Sequence, residues 1–359
     1  MSTTTQAARN LVFVTGASGY LGSVVVHELL EAGYHVRGSA RGQKVAQIQT
    51  AFARYGEQFK AVEIADIASS DFTNVLEGVS AIIHTAAPLP GRVDLETGLK
   101  TSVDGSLHIL RAAQKAGIAR VVVTGTIATF PKALTTFGTN DWVEVTKEDA
   151  AAPDTTPLTR YVAYKKYGEQ AVMKYAAENP EMAITILNPT WIFGPFPPGY
   201  EAIVPTPQGA FQAFATNGFL YQLLRPDNKN YHYFPGCIDV RDVARIHIAA
   251  LAAATNASGR RIAISSPYDT GFREAISFIH DERPELRGRL ADPDSVPRWE
   301  RYRLPEIDLD VVERDLGFSA GRFTTWRETV LDGVDRLIEI ENMWNAKGYS
   351  FEVPAERPM

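Results

Sequence analysis

The stretch LVFVTGASGYLG, which runs from Leu11 to Gly22, predicts the first elements of the fold. Its first five residues form an apolar run of strand-forming type, and Gly16, Gly19 and Gly22 follow at regular spacing as a helical pattern of apolar residues begins. Glycines let a pyrophosphate approach the backbone, and the first N–H groups of a helix attract an anion. The stretch therefore predicts a strand, a glycine turn and a helix that bind a dinucleotide, with an ordinary strand-to-helix turn as the alternative.

The composition is that of an ordinary globular protein. The chain has 359 residues, of which 45% are hydrophobic and 22% are charged. A net charge of -6 argues against nucleic-acid binding, and the one cysteine, Cys237, excludes an internal disulfide and is expected to be a small buried residue. The sequence has neither a signal-peptide pattern nor an apolar run of membrane-spanning length, so we expect a cytoplasmic protein without a membrane segment. The 7 histidines lie scattered, which predicts no metal site.

Strand-like and helix-like segments alternate through the first two thirds of the chain. This alternation predicts an α/β fold, a Rossmann-type doubly wound parallel sheet with helices on both faces. Strands are predicted at residues 11–15, 35–40, 59–65, 81–87, 120–126, 183–188 and 260–265, with a strand and a helix within 238–251. Further helices are predicted at residues 99–115, 161–178, 271–281 and 325–339.

Beyond residue 195 the chain becomes rich in proline, glycine and aromatic residues. We expect a smaller C-terminal substrate-binding lobe there. The predicted division is a flexible N-terminus at 1–10, a mainly nucleotide-binding domain at 11–195 with strand and helix returns at 238–265, a mainly substrate-binding lobe at 196–237 and 266–340, and a poorly ordered tail at 341–359.

Tyr161 and Lys165 are the candidate proton donor and its partner. They lie four residues apart in a predicted helix, which places both side chains on one face. A lysine ammonium next to a phenol favours the phenolate, and we expect it to lower the tyrosine pKa by roughly one to three units. Thr126 ends the fifth predicted strand, at the edge of a parallel sheet where ligands bind, and its hydroxyl can hydrogen-bond a carbonyl oxygen. The alternative for the Tyr161–Lys165 pair is a solvated helix face.

These motifs, in this order, resemble the extended short-chain dehydrogenase/reductase family over residues 11–337. In detail the chain is similar to the group that holds dihydroflavonol 4-reductase, cinnamoyl-CoA reductase and the yeast methylglyoxal and branched-aldehyde reductase. The matching motifs are TGASGYLG at 15–22, GSAR at 38–41, ADI at 65–67, HTAAP at 84–88, VVVTGT at 121–126, YVAYKKYGE at 161–169, NPTWIFGP at 188–195 and IDVRDVARIH at 238–247. One departure is Thr126, where the family usually has serine. Threonine keeps the hydroxyl and adds a methyl group, which is expected to narrow the pocket.

The resemblance implies the roles of the site residues. Thr126, Tyr161 and Lys165 would be catalytic: Tyr161 protonates the developing alkoxide, Lys165 lowers its pKa and holds the nicotinamide ribose, and Thr126 orients the substrate oxygen. The implied cofactor-binding residues are Gly16, Ser18, Gly19, Tyr20, Leu21, Gly22, Arg41, Lys44, Asp66, Ile67, Thr85, Ala86, Ala87, Thr124, Tyr161, Lys165, Pro189 and Ile192. The implied substrate-binding residues are Pro88, Thr126, Phe130, Thr190, Trp191 and Phe211, with plain core packing as the alternative for the aromatic ones.

Arg41 predicts which dinucleotide binds. A carboxylate at the end of the second strand would hold the ribose 2′-hydroxyl of NAD, whereas an arginine accommodates a 2′-phosphate. No Asp or Glu lies between His35 and Lys44. We therefore expect NADP as the cofactor, with NADPH preferred over NADH by roughly ten- to a hundredfold, and a solvated basic edge is the alternative. Asp66 is expected to accept a hydrogen bond from the adenine amino group, or else to cap a helix, and His84 is expected to be structural.

The predicted function is an NADPH-dependent carbonyl reductase that acts on a small to medium apolar or aromatic aldehyde or ketone. One alternative is an NAD-dependent epimerase or dehydratase of nucleotide sugars, for which residues 199–235 offer only Arg225 and Lys229 as cations, with Arg241 and Arg245 just after. The others are a hydroxysteroid dehydrogenase and a non-catalytic NADP-sensing regulator. The expected partner is a small-molecule carbonyl substrate, and the resemblance implies a monomer or a homodimer.

Overall fold

The computed structural model describes residues 10–131, 138–253, 259–298 and 307–355. The strands of the main sheet are β1 Leu11–Thr15, β2 His35–Ala40, β3 Phe59–Glu63, β4 Ala81–His84, β5 Arg120–Thr124, β6 Ala183–Pro189 and β9 Arg260–Ile264. All seven are parallel, in the order β3-β2-β1-β4-β5-β6-β9. Two short strands, β7 Trp191–Phe193 and β8 Cys237–Asp239, pair apart from this sheet. The strand order reverses between β1 and β4, which confirms the predicted doubly wound sheet and places a ligand-binding crevice at that point.

Helices cover both faces of the sheet. They are α1 Tyr20–Glu31, α2 Lys44–Ala51, α3 Leu95–Leu99, α4 Ser106–Lys115, α5 Lys147–Ala151, α6 Pro157–Glu178, α7 Ala210–Ala213, α8 Asn217–Gln222, α9 Val240–Ala252, α10 Phe272–Glu282, α11 Leu309–Leu316 and α12 Trp326–Ala346. A π-helical turn, Lys100–Gly105, joins α3 to α4. The helices α1 and α9 pack against each other on one face, and α4 and α6 contact each other on the other face.

Alternate residues of the central strands enter two separate cores, as expected for strands that are buried on both faces. On β1, Phe13 belongs to the core beneath α4 and α6, whereas Val12 and Val14 belong to the core beneath α1 and α9. The second core also contains aromatic residues of the C-terminal lobe, such as Phe214 and Trp344. The lobe is therefore joined to the sheet by a shared core.

The last helix is longer than the sequence predicts. Helix α12 ends at Ala346 instead of Glu339, because Trp344 is fully buried and donates its indole N–H to a backbone carbonyl of the lobe at 2.8 Å. The ring of Phe351, beyond the helix, then packs against Trp344 with 5.1 Å between centroids. The prediction of a tail from residue 341 is thereby corrected. Residues 1–9 of the predicted flexible N-terminus and 356–359 of the predicted tail lie outside the described residues.

Candidate active site

The glycine turn lies between β1 and α1, at the carboxyl edge of the sheet. Gly16 has φ +70°, a conformation that favours glycine, and its carbonyl accepts the Gly19 N–H at 2.9 Å. A Cβ on Gly22 would lie only 2.2 Å from Gly16 O, so α1 approaches the turn this closely only with glycine there. Among the described residues no side chain caps α1 at Gly19. The first N–H groups of the helix are therefore available to an anion, which fits the pyrophosphate of a dinucleotide.

The end of β4 stands beside this turn. Thr85 donates its hydroxyl to Thr15 O at 2.6 Å, and the Ala86 N–H donates to the Thr15 hydroxyl at 3.2 Å. These bonds tie the carboxyl ends of β1 and β4 together on the two sides of the crevice. The predicted cofactor residues that are at least partly exposed here are Gly16, Ser18, Gly19, Leu21, Thr85, Ala86 and Ala87.

Tyr20 was predicted to bind the cofactor, but its side chain is used in packing. The phenol is buried, donates to Gly194 O at 2.7 Å, and packs edge-on against Phe196 with 5.1 Å between centroids. Its ring therefore joins α1 to the loop after β7. Only the backbone N–H of Tyr20, in the first turn of α1, is left for the pyrophosphate.

Three cations lie close together beyond β2. Arg41 follows the strand with an exposed side chain, and Lys44 begins α2. Burial and the positive charges of Arg41 and Arg92 lower the pKa of the Lys44 ammonium. Arg92 comes from the loop after β4 and was not singled out by the sequence, because nothing local reveals that this loop reaches α2. Clustered like charges repel one another, so the cluster fits a bound 2′-phosphate.

The Asp66 carboxylate has local partners. It accepts the Ala68 N–H and the Ser69 hydroxyl, both at 2.9 Å, and lies 3.8 Å from the Lys100 ammonium. The hydrogen bonds from Ala68 and Ser69 are the main reasons why its pKa lies below the usual value. These contacts correspond to the capping alternative, although the capped element is a turn. Its neighbour Ile67 is buried. Contact with adenine stays a prediction for both residues.

Tyr161, Lys165 and Thr126 come together at the carboxyl end of β5. Tyr161 and Lys165 lie one turn apart on α6, and Thr126 lies two residues beyond the end of the strand. The Thr126 side chain lies near enough to the Tyr161 hydroxyl to lower the pKa of the phenol. The Lys165 ammonium donates to Thr124 O at 2.8 Å. Two hydroxyls therefore stand side by side, where both can reach one substrate oxygen, with a cation behind them.

The pKa of Tyr161 differs from the expectation. Burial is the main cause that raises it to about 12, the nearby Thr126 side chain lowers it, and the negative charge of Glu169 raises it. The expected lowering by Lys165 is wrong for this structure, since the ammonium donates to a β5 carbonyl and also faces Glu169. At neutral pH the phenol consequently keeps its proton, which is the state a proton donor requires.

Two buried histidines lie behind the site and are structural. His84 Nδ1 is 2.7 Å from the Thr15 hydroxyl, and burial, with a smaller contribution from Lys165, lowers its pKa to about 3. His247 Nε2 is 2.8 Å from the Thr124 hydroxyl, and burial lowers its pKa to about 4. Both rings are therefore neutral at physiological pH, and the structural prediction for His84 is confirmed.

The predicted residues after β5 and β6 divide into two groups. The side chains of Phe130 and Thr190 are buried: the Phe130 ring lies beneath an arginine, and the Thr190 hydroxyl donates to a serine hydroxyl at 3.0 Å. Phe211 stacks among aromatic residues inside the lobe. These three side chains are engaged in packing, although Phe211 remains partly exposed. Trp191 and Pro88 remain partly exposed, as does the predicted cofactor residue Ile192, while Pro189 is buried at the end of β6.

A buried ion pair beneath Thr126 was not predicted. Glu169 lies on α6 one turn after Lys165, and its Oε2 is 3.2 Å from Nε of Arg261 on β9. The four-residue spacing from Lys165 and an arginine within an apolar strand are the signals that could have found it.

Other kinds of site find no support in the part of the chain that the structure describes. There, no group of three or more His, Cys, Asp or Glu side chains could hold a metal ion. Burial raises the pKa of the Cys237 thiol to about 12, in agreement with its expected role as a buried residue. Within the same described ranges, no helix is both long and apolar enough to cross a membrane.

Comparison with known proteins gives the family. Residues 12–265 match the NAD dependent epimerase/dehydratase family. The chain is 27% identical over 354 residues to the NADPH-dependent methylglyoxal reductase of Saccharomyces cerevisiae, covering 92% of this chain and 98% of that protein. It is 29% identical over 352 residues to a ketoreductase of Aspergillus fumigatus, covering 94% of this chain and 100% of that protein. The solved structure of yeast methylglyoxal/isovaleraldehyde reductase complexed with NADPH superimposes with a TM-score of 0.76 at 26% identity, covering 93% of this chain and 99% of that one. The chain therefore belongs to the NAD dependent epimerase/dehydratase family, the extended short-chain dehydrogenases/reductases, as its sequence motifs predict.

Proposed function

We propose that this oxidoreductase is an NADPH-dependent carbonyl reductase that converts an aldehyde or ketone into an alcohol. The observation that carries the proposal is the placement of Thr126, Tyr161 and Lys165 together at the same sheet edge as the glycine turn. The yeast methylglyoxal reductase and the fungal ketoreductase carry out reactions of this class according to their names.

The three side chains perform distinct steps. The hydroxyls of Tyr161 and Thr126 both donate to the carbonyl oxygen of the substrate, which polarises its C=O bond and fixes its orientation. NADPH, when bound, supplies the hydride that adds to the carbonyl carbon. Tyr161 then gives its proton to the developing alkoxide, so that an alcohol leaves and the phenolate remains. The phenolate then takes a proton from solvent. Lys165, whose ammonium donates to Thr124 O at 2.8 Å, would hold the ribose hydroxyls of the nicotinamide nucleotide.

The substrate class that we propose is small to medium and apolar or aromatic. Three of the exposed large apolar side chains follow sheet strands or share a helix with Tyr161: Leu89 follows β4, Leu158 lies one turn before Tyr161 on α6, and Tyr268 follows β9. They would present an apolar rim to an entering carbonyl compound.

A nucleotide-sugar substrate is disfavoured by the pairing of the available arginines. Arg225 is bound to Asp227 at 2.7 Å, Arg241 to Asp239 and Asp332, and Arg245 to Asp242. A substrate pyrophosphate needs cations that are free to bind it. Three of the four cations considered as ligands of a substrate pyrophosphate are therefore already paired with carboxylates.

The first experiment measures the absorbance of NADPH and of NADH with a panel of aldehydes, diketones and aryl ketones. We expect NADPH to be consumed with at least one apolar or aromatic carbonyl compound. Tight NADPH binding without reduction of any carbonyl compound would contradict the proposal and favour a sensor. NAD that remains bound through purification would instead favour a nucleotide-sugar enzyme.

Replacement of Arg41 by alanine is expected to lower the preference for NADPH over NADH by roughly ten- to a hundredfold. The guanidinium would otherwise donate charge-assisted hydrogen bonds to the 2′-phosphate, a group that NADH lacks. The measurement is kcat/KM with each cofactor, and kcat/KM with NADH should stay unchanged. Arg120→Ala is the matched control, since Arg120 is an exposed arginine at the amino end of β5. An unchanged preference in Arg41→Ala would assign the 2′-phosphate to other residues.

The reduction rate is expected to be insensitive to the ionisation of Tyr161 from about pH 7 to pH 10. Since the pKa of the phenol is raised to about 12, its protonated form, which is the active one for reduction, is fully populated below that value and is lost only as the pH rises through it. A profile of kcat/KM for the carbonyl substrate at saturating NADPH measures this. A fall with an apparent pKa between about 7 and 9 would instead support the lowered pKa that the sequence suggests.

A further inference from the structure

A network of buried polar side chains lies directly behind Thr126. Glu169 on α6 has a side chain that is 2% exposed, and its partner Arg261 on β9 is 0% exposed. Glu169 Oε1 accepts the Thr126 N–H at 3.1 Å. The buried carboxylate therefore contacts the backbone of a catalytic residue on one side and an arginine on the other.

Two neutral side chains complete the network. Asn188 Nδ2 donates to Glu169 Oε2 at 2.8 Å and to Thr126 O at 3.1 Å. The Thr129 hydroxyl lies 2.9 Å from Glu169 Oε2 and 2.9 Å from Thr126 O. Both backbone polar groups of Thr126 are thus held by this network. Because the χ1 angle of threonine is stiff, fixing its backbone also fixes the position of its hydroxyl.

Gly125 makes this close approach possible. A Cβ at this position would lie 2.4 Å from Asn188 Nδ2 and 2.8 Å from Glu169 Oε1. The residue before Thr126 must therefore lack a side chain for the carboxylate and the amide to reach the Thr126 backbone as they do. The need for glycine is specific to this position, next to Thr126 at the carboxyl end of β5.

Arg261 extends the network to the next segment of the chain. Its Nη1 donates to Thr139 O at 3.1 Å and to Asp141 O at 2.9 Å. Its guanidinium lies between two rings, 3.6 Å from the centroid of Trp142 and 4.0 Å from that of Phe130. The planar fork and the stacking are features that lysine does not share.

We propose that Arg261 and Glu169 are positioning residues, which hold Thr126 where its hydroxyl meets both Tyr161 and the substrate oxygen. The inference rests on the proposed function, because it assigns these residues a role in the same reaction. Removing one partner of a buried ion pair leaves an uncompensated charge, and a misplacement of about 1 Å at a reacting group costs up to roughly 10²-fold in rate. The pair therefore acts on the rate through Thr126, without touching substrate or cofactor.

A double-mutant cycle tests whether Glu169 affects the rate through Thr126. The variants are Glu169→Gln, Thr126→Ala and the two combined, compared with wild type in NADPH-dependent reduction, with kcat expressed per NADPH-binding site. The glutamine keeps the shape of the side chain, but its NH₂ group would face the other donors. We expect Glu169→Gln alone to lower kcat by roughly ten- to a hundredfold, and to cost less than about threefold once Thr126 is alanine. The NADPH dissociation constant should stay within about threefold of wild type in every variant.

A matched control and a second readout separate positioning from folding. Glu341→Gln removes a carboxylate that is likewise buried on a long helix and paired with an arginine, Arg289, at 2.6 Å, and its kcat should stay within about twofold of wild type. With NADPH deuterated at the transferred position, Glu169→Gln should also raise the kinetic isotope effect on kcat, because the chemical step itself is slowed. A variant that is only partly folded would leave the isotope effect unchanged.

The outcomes are distinct. The inference would be overturned if Glu169→Gln kept the wild-type kcat. It would also be overturned if Glu169→Gln lowered kcat equally in the presence and absence of the Thr126 hydroxyl. Either result would leave the proposed function intact. A wild-type protein that reduces no carbonyl compound would overturn both. If Glu169→Gln does not fold, Arg261→Lys replaces it in the same cycle: lysine keeps the charge opposite Glu169 and lacks the fork that holds Thr139 and Asp141.

Discussion

Replacement of Tyr161 by phenylalanine is expected to lower kcat for carbonyl reduction by roughly 10²- to 10⁴-fold. The substitution removes one hydroxyl, which lies near Thr126 and holds a proton at neutral pH because burial raises its pKa to about 12. It keeps the ring, which packs edge-on against Tyr164 with 5.5 Å between centroids. The loss should therefore fall on the chemical step, and NADPH affinity should stay within about threefold of wild type. Steady-state NADPH absorbance gives kcat, and quenching of protein fluorescence gives the affinity.

Tyr175→Phe is the control for this substitution. Tyr175 lies on the same helix, is buried, and donates its hydroxyl to Gln114 at 2.7 Å. It should keep kcat within about twofold of wild type, since it touches none of the three catalytic candidates. A loss of less than about tenfold in Tyr161→Phe would mean that another group supplies the proton.

The glycine turn and the sheet could be predicted because their signals are local. A strand, a turn and a helix that follow one another within residues 11–22 need no distant contact to be recognised. The i, i+4 spacing likewise placed Tyr161 and Lys165 on one face of α6, which the structure bears out. The position of Thr126 beside them follows from the end of β5, because carboxyl ends of parallel strands share one edge.

Side-chain environments could not be predicted in the same way. The sequence placed Tyr20 and Phe211 near ligands, yet both rings are taken up by packing between segments that are distant in the chain. The pKa of Tyr161 was expected to fall because of Lys165, but burial dominates and Glu169 opposes the lysine. Burial depends on every neighbour, so the spacing of two residues does not determine it.

The buried pair beneath Thr126 illustrates the same limit. Glu169 and Arg261 are 92 positions apart, on α6 and on the last strand of the sheet. Each looks unremarkable alone: a carboxylate on a helix and an arginine at the start of a strand. Only the parallel pairing of β9 with β6 brings the guanidinium beneath the end of β5.

Gly22→Ala is expected to raise the NADPH dissociation constant by roughly a hundredfold or more. Alanine is favoured over glycine inside a helix by about 1 kcal/mol, but overpacking costs about 1 to 3 kcal/mol or more, so the clash decides the outcome. The added Cβ would lie 2.2 Å from Gly16 O and 2.8 Å from Gly16 C, which are backbone atoms and have no rotamer to relieve the contact. The glycine turn and the first helical turn of α1 must therefore move apart. This movement displaces the N–H groups that would bind the pyrophosphate.

Fluorescence titration with NADPH measures this effect, and Gly321→Ala is its control, because a Cβ at Gly321 would meet no atom of the described chain within 4 Å. The control should bind NADPH like wild type. Thermal unfolding without cofactor distinguishes loss of the turn from loss of the fold, since only the latter would remove the cooperative transition. Wild-type affinity in Gly22→Ala would contradict the assignment of the turn to the pyrophosphate. A loss that is equal for NADPH and NADH would support it, because the turn contacts the part that both cofactors share, whereas Arg41 contacts the part that distinguishes them.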